Sequence, residues 1–126
     1  MFDIEKQTDY WIRGSESDIE TAEILIFGKK CLEGLFFCHL SIEKISKALV
    51  VKKTRQLAPK SHNLSYLVDL ASLNIDEEQA SFMSVLMKYQ LEGRCPDYYP
   101  KSPSIETVMD YLQKTKSLLK CLKLML

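Results

Sequence analysis

The chain has 126 residues, 46% of them hydrophobic and 27% charged, which is enough for one globular domain with a real core and too little for a second. Seventeen basic side chains balance seventeen acidic ones, excluding a strongly basic nucleic-acid binder of the usual kind and giving no electrostatic ground for membrane attachment. No apolar run approaches the ~18–20 residues that span a bilayer, and no charged start leads into an apolar leader, so a cytoplasmic protein is expected.

The balance is uneven along the chain. Residues 1–30, 31–60, 61–92 and 93–126 carry −3, +4, −4 and +3, an alternation that lets antiparallel neighbours attract each other and gathers positive charge on part of the surface. Cys31, Cys38, Cys95 and Cys121 form no C-x-x-C pair and have only two histidines to help them. Free thiols are therefore expected, with no metal site and no cofactor.

Helical periodicity runs through almost all of the chain. A first helix is expected over about Thr8–Phe27, with Ile12, Ile19, Ala22, Leu25 and Ile26 on its apolar face and Gly28 as its stop. Asp18 falls on that same face, where a carboxylate costs several kcal/mol unless a cation such as Arg94 or Lys47 meets it.

The second helix, about Leu32–Arg55, has a seam of Cys31, Leu35, Cys38, Ile42, Ile45 and Leu49 and ends in the basic cluster Lys52-Lys53-Thr54-Arg55. Beside the seam, His39, Glu43 and Lys47 follow one another at i,i+4 steps, so imidazole, carboxylate and ammonium stand in line next to the core. Lys44, one position round, is free to meet solvent or a phosphate.

A short helix is expected from His62-Asn63-Leu64 to about Leu73, capped by Ser61 or Asn63, and a further one from Asp76-Glu77-Glu78 to a stop at Gly93. Three prolines break the pattern across Arg94–Pro103, leaving an ordered connector that carries Arg94, Asp97, Tyr98 and Tyr99. The last helix follows Pro103-Ser104, with Ile105, Val108, Leu112, Thr115, Leu119, Leu122 and Leu126 spaced 3-4-3-4-3-4. The fold class is all-α: one antiparallel up-and-down bundle of four long helices and one short helix, residues 1–126 forming a single domain. So many apolar stripes in so short a chain point to a two-fold dimer.

Four short motifs occur in order: Trp11 with Asp18-Ile19 and Ala22; Glu43-Lys44 with Lys47-Ala48; His62-Asn63-Leu64 with Leu67; and Arg94-Cys95-Pro96-Asp97. Together, from about Tyr10 to Leu122, they resemble the HEPN family, named for higher eukaryotes and prokaryotes nucleotide-binding. The resemblance implies a dimeric helical bundle, often paired with a minimal nucleotidyltransferase in the manner of a toxin and its antitoxin. It also implies kinship with metal-independent ribonucleases that use an arginine and a histidine four to six residues apart.

This chain departs from that last pattern, because no histidine follows Arg94 at the required spacing. Arg55 and His62 do have six residues between them, but Pro59 and Lys60-Ser61 put a loop in the interval. The expected function is therefore binding of nucleotide or RNA phosphate through Lys44, Lys47, His62 and Arg94, with the Tyr98 ring as a stacking plane. Asp18, His39, Glu43 and Asp97 are read as structural polar residues. The alternatives are a ribonuclease using His62 with Arg55 or Arg94 and a purely structural interaction module.

Overall fold

A computed structural model describes residues 2–126, and all the regular structure in them is helical. Helix α1 spans Ile4–Phe27, α2 Cys31–Thr54, α3 Leu64–Leu70, α4 Glu77–Met87 and α5 Ile105–Lys123, with a 3-10 turn at Pro96–Tyr98 between the last two. The bundle thus has three long helices and two shorter ones, where the sequence pattern suggested four long and one short.

The difference lies in α4. Its start is as expected, with the Asp76 carboxylate accepting from the Gln79 amide and the Gln79 side chain answering to the Asp76 amide. After Met87, however, the amides of Lys88, Tyr89 and Gln90 each bond three residues back, and Gly93 closes the segment in the left-handed region at φ 79°. Tyr89 and Leu91 stay buried in this turn, so they continue the apolar pattern without continuing the helix. At the other end of the chain, α1 begins one turn earlier than expected, because the Asp3 carboxylate caps the Lys6 amide at 3.1 Å.

The α1–α2 junction is a tight reversal. The amide of Lys30 bonds the Leu25 carbonyl at 2.8 Å and that of Lys29 bonds Ile26 at 3.0 Å, a Schellman arrangement that needs one left-handed residue. Lys29 takes that conformation at φ 64°, leaving Gly28 as the cap before it. The two helices then cross at Gly34, where a Cβ would lie 2.5 Å from Ile26 Cγ1 and 3.1 Å from the Ala22 carbonyl. Only a glycine lets the backbones come so close.

Helix α2 is the axis of the molecule. From Ser41 to Val51 every residue except Lys44 is buried, because α1, α3, α4 and α5 all pack against it. Leu35, Cys38, Ile42, Ile45 and Leu49 are fully enclosed. Ser41 joins the layers by donating to the Ser15 carbonyl at 2.8 Å, and burial pushes the Cys38 thiol up to about 11. The pairs Glu23–Lys116 at 2.7 Å and Glu16–Lys123 at 3.6 Å show that α5 runs antiparallel to α1. Among the described residues, no helix is long and apolar enough to cross a membrane.

Candidate functional site

The i,i+4 line of α2 is interior. His39, Glu43 and Lys47 are all buried, and Lys47 Nζ donates to Glu43 Oε2 at 3.0 Å while lying 5.1 Å from the centre of the Trp11 ring. A buried ammonium is thus held by one carboxylate and one aromatic face. The other oxygen of Glu43 looks towards the loop before α3, where His62 Nδ1 stands 2.8 Å from Oε1. An N–H at that distance donates to the carboxylate, which turns Nε2 outward.

His39 fixes the same loop from below. Its Nε2 lies 3.1 Å from the His62 carbonyl, so the ring donates there and leaves Nδ1, which has no hydrogen-bond partner. Burial pushes this imidazole below the usual histidine range, the Glu43 charge opposing, and the neutral ring suits a site with a single N–H to give. His62 is therefore gripped twice, by its ring through Glu43 and by its backbone through His39. Asn63, next in the chain, caps α3 by accepting from the Tyr66 amide at 3.1 Å.

The exposed edge of His62 opens on a shallow pocket of about 270 Å³ that it lines with Asn63, Met87, Gln90, Glu92 and Arg94. Its Nε2 is 3.3 Å from Glu92 Oε2, on a side chain that is 62% exposed. Arg94 Nη1 donates to the Lys88 carbonyl at 3.3 Å, which anchors one corner of the guanidinium beside the opening. The turn that replaces the last part of α4 is what delivers Gln90, Glu92 and Arg94 here. Gln90 and Glu92 escape a periodicity reading because that reading places them inside a helix; the local breaker, Gly93, stands six residues beyond the end of α4 and gives no sign that the helix stops at Met87.

The remaining sequence candidates lie elsewhere. Lys47 is committed to Glu43 and Trp11 in the interior. Asp18, expected to meet Arg94 or Lys47, instead pairs with Lys44 at 2.8 Å. Burial pushes the Asp18 carboxyl up, and the Lys44 ammonium pulls against that. Because the Lys44 side chain is 28% exposed, loss of Asp18 leaves a cation that reaches water rather than a stranded one. Arg55 takes the left-handed position that ends α2 and lines a different cavity, so it shares no opening with His62. Asp97 and Tyr98 are exposed in the 3-10 turn, and neither lines the His62 pocket.

Residues 8–125 match the HEPN domain. The chain belongs to the HEPN domain family. A search of curated proteins gives no match. The HEPN fold is a helical fold of the nucleotide-binding and ribonuclease type, and in this HEPN chain the histidine and arginine that share an opening are His62 and Arg94, brought together across 31 intervening residues rather than within one short motif.

Proposed function

We propose that this HEPN domain binds the phosphate of a nucleotide or RNA in the His62–Arg94 pocket. The observation that carries the reading is the shared opening: a guanidinium tethered at one corner lines it together with an imidazole whose orientation Glu43 sets. A guanidinium fork suits phosphate oxygens, and the exposed Glu92 side chain is able to swing aside for an anion. Titration of the protein with adenosine monophosphate, followed by NMR, should shift the His62 ring resonances. Arg94→Ala should weaken binding roughly 5- to 150-fold, the equivalent of ~1–3 kcal/mol for a charge-assisted contact.

The Glu43–His62 pair also supports a second reading, a metal-independent ribonuclease. A carboxylate-oriented imidazole can take the proton of a ribose 2′-hydroxyl, and a neighbouring arginine can stabilise the pentacovalent phosphate. The arginine of that reading is Arg94, since Arg55 lines another cavity. Incubation of single-stranded RNA with the protein in chelator separates the two: the binding reading expects intact RNA, and cleavage abolished by His62→Ala would replace it with the ribonuclease.

The partner is part of the same proposal. Ile24 and Phe27 lie one turn apart on α1, 71% and 63% exposed, an apolar pair that supports a two-fold homodimer. A minimal nucleotidyltransferase, in a pair resembling a toxin and antitoxin, is the further protein proposed. Light scattering of the chain alone should give twice 14.6 kDa, and a mass of one chain at micromolar concentration would refute the dimer. Co-purification from cells expressing both proteins checks the nucleotidyltransferase.

A further inference from the structure

We propose that a groove along the N-terminal half of α1 is a second ligand site, separate from the His62–Arg94 pocket, and that it takes a single-stranded phosphodiester chain. Two cavities of about 550 and 590 Å³ share Lys6 and Asp9 and flank α1 on either side of these two residues, the first against Lys44 and the second against Lys52 and Arg55, with α1 residues from Ile4 to Ser17 in their walls. At 1.5 Å per residue that is a length of about 20 Å, longer than one phosphate needs. No residue of the groove lines the His62–Arg94 pocket.

The groove concentrates positive charge in a chain whose total is zero. Lys6, Arg13, Lys44, Lys52 and Arg55 face Glu5 and Asp9, and with Lys44 paired to Asp18 and Lys52 bonded to the Leu126 carbonyl the excess is two positive charges, with Lys6 and Arg13 both exposed. Alpha-helical spacing sets Lys6 and Arg13 two turns apart on one side of α1. The Arg13–Asp9 pair, 2.9 Å apart, is exposed on both sides, and such pairs are held weakly enough to open for a stronger anion.

Lys44 reaches the groove through a specific accommodation. Its stem crosses α1 over Gly14, where a Cβ would lie 2.9 Å from Lys44 Cδ. A glycine inside a 24-residue helix weakens that helix, and here the missing side chain gives a lysine of α2 its path across α1. An aromatic plane completes the groove. Tyr10 is 65% exposed, and its ring is braced edge-on against Trp11 at 5.0 Å. A ring so placed beside spaced cations can stack a base while the cations follow the backbone, the combination that single strands use. An acidic peptide would use the cations but leave the ring idle.

The inference shares its ligand class with the proposed function but not its residues, so the two can fail separately. Binding of a fluorescein-labelled uridine oligomer of about ten nucleotides is followed by anisotropy at several salt concentrations, and adenosine monophosphate is titrated in parallel by NMR at His62. Lys6→Glu with Arg13→Glu should weaken oligomer binding about tenfold or more and flatten its salt dependence. Tyr10→Ala should weaken it about fivefold or more. All three side chains are exposed, and circular dichroism checks that each variant is folded.

If the groove variants lose the oligomer while the His62 resonances fail to respond to the nucleotide, the groove stands and the pocket reading falls. If they bind it as wild type does and Arg94→Ala does not, the groove is refuted and the pocket stands. Absence of oligomer binding by the wild-type protein also refutes the groove, with the nucleotide titration left to judge the pocket. Polyglutamate binding as tight as that of the oligomer, unchanged by Tyr10→Ala, overturns the proposal in favour of an acidic protein partner.

Discussion

Glu43→Ala is expected to destabilise the protein by about 3–5 kcal/mol, the cost of removing one member of a buried ion pair. The carboxylate is the only anion within 4 Å of Lys47 Nζ among the described residues, and both side chains are almost wholly enclosed, at 4% and 7% exposure. Its loss strands an ammonium that keeps just the face of Trp11, and it frees the His62 ring as well. Glu43→Leu combined with Lys47→Met should recover most of the loss, because replacing both charges removes the desolvation penalty along with the attraction. Urea denaturation measures both effects. A Glu43→Ala midpoint equal to that of wild type would mean that water reaches the carboxylate, which contradicts the enclosed geometry.

The second large effect is expected at Gly34. Alanine there gains about 0.5–1 kcal/mol of helix propensity, yet its Cβ would enter to 2.5 Å from Ile26 Cγ1 and close to the Ala22 carbonyl. Overpacking of this kind costs about 1–3 kcal/mol, and the backbone carbonyl cannot turn aside as a side-chain tip can. The net result is therefore a loss of stability. Gly14→Ala makes the comparison, since its Cβ would meet only the flexible stem of Lys44 and the helix gain should show. Thermal melts that rank Gly34→Ala above wild type would mean that α1 and α2 are farther apart than their crossing requires.

The elements that periodicity reads well are those whose burial is decided by one neighbour. On α5, Val108, Leu112, Thr115, Leu119 and Leu122 are buried as the 3-4 spacing requires, while Ile105 at its first turn is exposed. On α2 the seam is right but incomplete, because four other helices pack round it and bury Ser46, Ala48, Val50 and Val51 as well. Periodicity sees one stripe and cannot see how many partners a helix has.

The candidate site was legible in its local half. His39, Glu43 and Lys47 could be lined up from their spacing, but nothing in spacing says that His62, 19 residues on, turns its ring into Glu43. The same limit hid the Asp18–Lys44 pair, which spans two helices and passes over Gly14. Long-range contacts of this sort depend on the angle at which helices cross, and that angle is set by close approaches such as Gly34. Glu92 and Gln90 were hidden for a different reason: buried Tyr89 and Leu91 imitate a helix through a segment that has already turned.

Enclosure of the Ser41–Val51 stretch of α2, Lys44 apart, has a consequence for motion. A surface helix can fray or lift away while the rest of a domain persists, and its amide protons then exchange with solvent through that local opening. The stretch Ser41–Val51 has no such route, since uncovering it requires α1, α3, α4 and α5 to part from it. Its amides should be among the slowest in the protein to take up deuterium, at a rate set by global unfolding. The turn that holds Glu92 and Arg94 is of another kind: buried Tyr89 and Leu91 pin it, but the Glu92 and Arg94 side chains are exposed and its bonds are short-range ones such as Arg94 N–H to the Leu91 carbonyl. The pocket therefore joins two time regimes, with the Glu43 that steers His62 fixed for as long as the protein stays folded and the exposed Arg94 side chain able to exchange its one bond to the Lys88 carbonyl for a ligand.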